Sequence, residues 1–261
     1  MKSLIITVTP NISWLNPSIR YPKTPEEFVE EAKKAEKAGA SIIHIHAQGM
    51  WGKTIRELRK NTNLIIQCGM SSLSIKERME VFTERADMIS VILGHHDEAF
   101  VGQDFHVLHP REELLEYAEL FRKYGVKPEF EVWHAGHIWN LNFLINKKVL
   151  DAPYFTTLFF GWPGGNWSPP TIEEYLYRRR LMPRGSIINV SVMGDEQIKI
   201  LTAAILLGDH VRVGTEDNPF LKGKVATNEE LVAYVADLAK SLGRKIATPS
   251  EAAKVIRLHR Y

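Results

Sequence analysis

A chain of 261 residues with 44% hydrophobic and 25% charged residues has room for one large α/β unit, and its mixture excludes a disordered or fibrous protein. With 33 basic residues against 31 acidic ones, the formal net charge of +2 gives no bulk attraction for nucleic acid or an anionic membrane. The one cysteine, Cys68, excludes an internal disulfide, and no stretch approaches the roughly 20 apolar residues that span a bilayer. The opening MKSLIITVTP is too short an apolar run for a signal peptide, so a cytoplasmic protein is expected.

In chain order, a β-branched run at Leu4–Thr9 leads to an amphipathic segment at Pro25–Ala38, and Ser41–Ala47 leads to Lys53–Arg59. Asn63–Cys68 is followed by Ile75–Arg85, Met88–Leu93 by Glu112–Tyr124, and Lys127–Val132 by His137–Asn146. The last pairs are Tyr154–Phe160 with Ile172–Met182, Ser186–Val192 with Glu196–Leu206, and His210–Gly214 with Asn228–Leu242. Short, nearly continuous apolar runs are the pattern of parallel strands covered on both faces. Eight of them, each followed by a helix, predict a closed (β/α)8 TIM barrel occupying residues 1–261 as a single domain.

The punctuation agrees. Thr24, Pro25, Glu26 and Glu27 read as an N-cap, a first-turn proline and acids at the positive helix end. Gly39 and Gly125 close their helices, and Thr248, Pro249 and Ser250 open a last short one. The segments Leu93–Pro110 and Phe160–Pro170 are long for connections within a compact βα unit. They are expected on the active-site face, because catalytic groups of a barrel sit at the C-terminal ends of its strands.

The sharpest local signal is Ile43-His44-Ile45-His46. Residues two apart in a strand share a face, so both imidazoles point one way and can chelate one metal. Taken alone, such a pair is more often two hydrogen-bonded core histidines. After the eighth strand, a turn brings Glu216 and Asp217 to the strand mouth. The first strand of a closed barrel lies between the second and the eighth, so both ends overlook one cavity. His44, His46 and Glu216 then offer two nitrogens and a carboxylate with positions left open, the usual form of a catalytic zinc site. A lone Arg212 inside the eighth strand needs a partner, which Asp217 can supply. That pair either holds a carboxylate substrate and tunes a base or is purely structural.

Glu129 and Glu131 share a face of the fifth strand. Glu131, nearer its C-terminal end, orients Arg212, moves a proton, or belongs to an internal salt-bridge network. Gly161, Gly164 and Gly165 suit a backbone anion site or a ligand-free turn. His95, His96, Asp97, His106 and His109 crowd one loop, and His134 and His137 another; a polar pocket lining is expected there rather than a second metal. Arg178, Arg179 and Arg180 are expected to coat an outer helix, with a coenzyme phosphate contact as the alternative.

Together these motifs resemble the β-keto acid cleavage enzyme family. The likeness runs through TPEEFVEEAKKAEKAGASIIHIH, KPEFEVWHAGH, FFGWPGG, GDHVRVGTEDN and NEELVAYVADLAKSLGRKIATPSEA, nearly the whole chain. It implies a TIM barrel assembled as a homotetramer, with zinc on His44, His46 and Glu216, and with Arg212, Asp217 and Glu131 as working residues. It also implies reaction of a β-keto acid with acetyl-CoA to give acetoacetate and a new acyl-CoA. This chain departs from the family on the substrate side. Gln67-Cys68-Gly69-Met70 stands in place of Ser-Thr-Gly-Gly, and Gly94-His95 in place of Gly followed by Ser or Thr. Thr9-Pro10-Asn11-Ile12 stands in place of Thr-Gly-Ala and a glutamate. Gln67, Gly69, His95 and Asn11 are therefore expected to meet the substrate, and Ile12 argues against 3-keto-5-aminohexanoate, whose ammonium it cannot bind. Two other readings are a metal-dependent aldolase or hydrolase without CoA, and a barrel that binds metal or ligand without turnover.

Overall fold

The computed structural model describes residues 2–11, 15–47, 49–69, 71–100 and 103–258, with backbone alone at residue 100 and residues 103–105. The expectations at Ile12 and Met70 fall outside these residues. The first half contains β1 (Ile6–Val8), α1 (Pro25–Ala38), β2 (Ile42–Ile45), α2 (Trp51–Asn61), β3 (Ile65–Cys68), α3 (Ile75–Thr83), β4 (Met88–Ile92), β5 (His96–Phe100), β6 (Gln103–Val107) and α4 (Arg111–Tyr124). The second half contains β7 (Lys127–Val132), α5 (Ala135–Asn146), β8 (Tyr154–Phe160), α6 (Ile172–Leu181), β9 (Ser186–Val192), α7 (Gln197–Leu207) and β10 (His210–Val213). A short ribbon of β11 (Phe220–Leu221) and β12 (Lys224–Val225) then precedes α8 (Asn228–Ser241) and α9 (Pro249–Ile256).

Parallel strands close a barrel in the order β1, β2, β3, β4, β7, β8, β9, β10 and back to β1. Thr7 pairs with Arg212 on one side and Ile42 on the other, which sets β1 between the strands that carry the histidines and the Glu216 turn. The helices are capped as their sequences require. In α1 the Thr24 hydroxyl accepts from the Glu27 amide, Glu27 answers on the Thr24 backbone, and Gly39 ends the helix at φ 117°, a left-handed value that favours glycine. Among the described residues no helix is long and apolar enough to cross a membrane.

Strand alternation sorts the core into layers. Ile43, Ile45, Ile66, Cys68, Ile89 and Val91 face the helices. Ile42, Ile65, Met88 and Phe155 face the other way and meet Ala247, Ala252 and Ile256, so α9 plugs the N-terminal end of the barrel. One step further along the strands, the buried positions turn polar: His44, Gln67, Ser90, Glu129, Asn189 and Arg212. Buried polar groups destabilise a fold unless they are partnered, so a whole layer of them marks the part of the core kept for chemistry.

Two expectations change. The segment after β4 is a β-hairpin, β5 paired with β6 in antiparallel register, rather than an open loop. Its alternation is between polar and mixed residues, so no apolar period reveals it. The hairpin is sewn onto the glycine-rich turn after β8, where the Ala99 amide donates to Pro163 O at 3.0 Å. Side chains at Gly164 and Gly165 would collide with Asp97, so these glycines admit the hairpin and the space is not open to an anion. Arg178, expected on an outer surface, is fully buried. Its guanidinium donates to the carbonyls of Val132 (3.1 Å), Trp133 (3.0 Å) and Phe159 (2.6 Å), and it pairs with Glu174 at 3.1 Å. It closes the exposed carbonyl ends of β7 and β8. Arg180 is exposed, as expected, and Arg179 pairs with Asp209 at 2.6 Å.

Candidate metal and active site

His44 and His46 leave the C-terminal end of β2 on one face. Beyond β10, Gly214 turns the chain at φ 153°, against the backbone of Thr9 with no room for a Cβ, and this tight turn delivers Glu216 to the same place. His44 Nε2 lies 3.1 Å from His46 Nε2, which lies 3.2 Å from Glu216 Oε1. All three donor atoms fall within 4.8 Å of one another, and among the described residues they form the one such group of three. Donors bound tetrahedrally at about 2.0–2.1 Å are separated by about 3.3 Å, close to the 3.1 and 3.2 Å separations about His46.

The surroundings fit a cation. Gln67, opposite His44 in the β2–β3 register, accepts through Oε1 from His44 Nδ1 at 3.0 Å. This holds the proton on Nδ1 and leaves the Nε2 lone pair directed at the cluster, the arrangement that orients metal-binding histidines. Burial, reinforced by the charge of Arg212, keeps His44 well below its ordinary pKa, so the ring is neutral. Glu216 Oε2 is buried without a hydrogen-bond partner among the described residues. Although burial opposes it, Arg212 and the two histidines hold Glu216 ionised, below the usual carboxylate range. A Cβ at Gly69 would sit 2.5 Å from His46 Cε1 and 2.7 Å from His44 Nε2, so glycine is needed there for space. Gly69→Ala should keep the fold but weaken metal binding about 10–100-fold, the usual effect of disturbing a ligand's support; chelator competition measures it.

Asn11, expected to meet substrate, has both side-chain polar atoms on the His46 backbone: Nδ2 donates to His46 O at 3.2 Å and Oδ1 accepts from His46 N at 3.0 Å. It therefore fixes the strand end that carries His46. Gln67 has a second, buried atom, Nε2, with no partner among the described residues. His95 is 57% exposed beside Asp97, at 3.2 Å, on the rim formed by the hairpin.

Next to the triad, Arg212 Nη2 donates to Glu216 Oε1 at 2.9 Å and to Asp217 Oδ1 at 2.8 Å, while its Nε donates to Asp217 Oδ2 at 3.1 Å. Ser191, on β9, donates to Asp217 Oδ2 at 2.8 Å. Asp217 is completely buried, and burial pushes its carboxyl up to about 6, with Arg212 pulling down and Glu216 pushing up. A carboxylate that titrates near neutrality beside a metal site is suited to accept and return a proton. Ser191 was not legible as a partner of Asp217, although Asn189 and Ser191 interrupt an otherwise apolar strand on one face.

Glu131 does not bond Arg212. Its Oε2 accepts from Trp133 Nε1 at 2.9 Å, and burial together with the charge of Glu129 pushes it up to about 8. A carboxyl raised on folding binds its proton more tightly in the native state, so stability is full below about pH 4.5 and falls as pH rises to about 8. Glu131→Gln keeps an acceptor for Trp133 and should flatten that fall, which urea midpoints at pH 5 and pH 8 would check. Trp133 stacks on Phe159 at 4.2 Å, and both pack with Ile92, Trp162 and Met193 at the ends of the strands across the ring from β1 and β2.

The family model for beta-keto acid cleavage enzymes matches residues 3–258. The chain belongs to the β-keto acid cleavage enzyme family. As a family member it is 33% identical to the 3-keto-5-aminohexanoate cleavage enzyme of Acetoanaerobium sticklandii over 261 residues, 92% of each chain. It is 26% identical over 275 residues to the 3-dehydrocarnitine:acetyl-CoA trimethylamine transferase of Rhizobium meliloti, covering 92% of this chain and 91% of that one. Its fold matches the apo structure of ObcA with a TM-score of 0.79 at 17% identity, over 93% of this chain and 66% of that one. β-Keto acid cleavage enzymes and this barrel thus coincide along almost the full chain.

Proposed function

We propose that the chain is a zinc-dependent enzyme that cleaves a β-keto acid with acetyl-CoA, giving acetoacetate and a new acyl-CoA. The observation that carries this reading is the triad of buried His44 and Glu216 with half-buried His46, lying directly against the Arg212–Asp217 pair. Two imidazoles and one carboxylate with open positions suit zinc among the common divalent ions. The names of the relatives, a keto acid cleavage enzyme and an acetyl-CoA transferase, support the substrate classes.

Zinc held by His44, His46 and Glu216 would supply Lewis acidity that stabilises negative charge developing on the keto acid. Asp217 takes a proton from C2, the carbon between its keto and carboxylate groups, and C2 then bonds to the thioester carbonyl carbon as the CoA thiolate leaves. The thiolate adds to the original keto carbon, the C2–C3 bond breaks, and Asp217 returns its proton to C2. One carbon–carbon bond forms and one breaks, with no change of oxidation state. Arg212 holds Asp217 and Glu216 in register through this exchange, and the Trp133–Phe159–Trp162 cluster excludes water from the far side of the mouth. We assign Gln67 Nε2, unpartnered among the described residues, to a substrate oxygen and His95 to the rim; Gly69 makes room for the two imidazoles, and Asn11 acts through His46. The reading includes assembly as a homotetramer, which sedimentation would check.

The test is a panel of β-keto acids offered with labelled acetyl-CoA to metal-quantified protein, with products read by mass spectrometry. A new acyl-CoA and acetoacetate carrying the acetyl label are expected. Consumption of an acid without any acyl-CoA would favour CoA-free aldol or hydrolytic chemistry, and no consumption at all a binding barrel.

A further inference from the structure

At the opposite end of the barrel from the metal ligands, a cavity of about 280 Å³ opens at the start of β7. Its inner wall is apolar, formed by Phe121, Val126, Phe130 and Leu150. Among the described residues, three cations, Arg122, Lys127 and Arg257, line it together with a single acid, Asp151. The cations gather around one short segment of backbone. Lys127 Nζ donates to Pro153 O at 2.6 Å, Arg122 to Val149 O at 3.3 Å and Arg257 to Ala152 O at 3.4 Å. Asp151 is 90% exposed and 3.7 Å from Arg122, a solvated pair of little strength.

Lys127 is the odd member. It opens β7, is half-buried, and has a neutral carbonyl but no ion pair among the described residues. Burial pulls its ammonium down to about 8, as expected of a cation short of anions. Among the described residues, three positive groups and one exposed acid leave unmet positive charge at the mouth of an apolar hollow. An inorganic anion would satisfy the rim and leave the hollow unfilled, whereas an aliphatic acid satisfies both.

We propose that this cavity is a second ligand site, independent of the metal centre, which takes a small monocarboxylate with a short aliphatic tail: the carboxylate at Lys127 and Arg257, the tail against Phe121, Val126 and Phe130. The probes are sodium hexanoate and inorganic phosphate, tested on the full chain. Amines are labelled with acetic anhydride near pH 8, and peptides are quantified by mass spectrometry. Hexanoate should protect Lys127 saturably and several-fold, leave the exposed Lys60 unprotected, and exceed phosphate at equal concentration. Arg257→Ala, an exposed position, should weaken that protection roughly tenfold, the loss of one charged hydrogen bond. Lys127→Met should abolish saturable hexanoate shifts at the amides of residues 118–130 and 149–153 in NMR spectra, with folding confirmed by the unshifted remainder. No protection by hexanoate, equal protection by phosphate, or protection unchanged in Arg257→Ala overturns the assignment.

Discussion

Glu216→Gln should abolish bound metal and turnover together while leaving the barrel folded. The amide keeps an oxygen to accept from Arg212, now bonded at 2.9 Å, so the buried guanidinium retains that contact and its stronger one to Asp217. What disappears is the only carboxylate of the triad and the negative charge that Arg212 and the histidines hold in place. Removing a residue that merely orients a metal ligand weakens affinity about 10–100-fold, so removing the ligand itself should exceed about 100-fold. Metal content by plasma mass spectrometry and circular dichroism on the same sample separate the two effects. A variant that keeps stoichiometric metal would show that the ion is held elsewhere.

Asp217→Asn should do the reverse: keep the metal and lose the reaction. Asn preserves the shape that Ser191 and Arg212 recognise, and all three triad atoms are untouched. It cannot take a proton from C2, and loss of a positioned general base lowers rates by about 10²–10⁴-fold. The pH profile carries a second signature. Because burial raises Asp217 to about 6, the ionised base accumulates as pH rises through that value, and kcat/KM of the parent enzyme should climb there and level off above it. The variant's residual rate should lack that limb. Unchanged turnover would remove Asp217 from the chemistry and leave the Arg212 pair a structural one.

The contrast between the two residues shows what the sequence makes legible. His44 and His46 are readable as a pair because the strand period is two and nothing tertiary can alter it. Glu216 is readable as their partner only through topology, since closure of the barrel is what brings residue 216 beside residue 46. The eight βα units were visible for the same reason: buried parallel strands write continuous apolar runs. The supporting contacts were not visible. Gln67 meets His44 because of one register among several a parallel pair can adopt, and Asn11 reaches the His46 backbone from a loop with no periodicity. Both looked like substrate contacts from their departure from the family pattern; Asn11 is instead spent on the ligand strand, and Gln67 is half spent. Arg178 misled because three successive arginines on a helix read as a solvated face, while strand ends with unpaired carbonyls, which the sequence does not display, drew one of them inside. The β5–β6 hairpin was hidden by its polar composition, and with it the use of Gly164 and Gly165 as a seat for Asp97.

Anomalous diffraction at the zinc edge, on crystals grown without added chelator, tests the metal centre most directly. The result expected is one strong peak about 2.0–2.2 Å from His44 Nε2, His46 Nε2 and a Glu216 oxygen, with Gln67 still accepting from His44 Nδ1. A peak that lacks any of those three contacts, or a fully active enzyme with no peak, would contradict it.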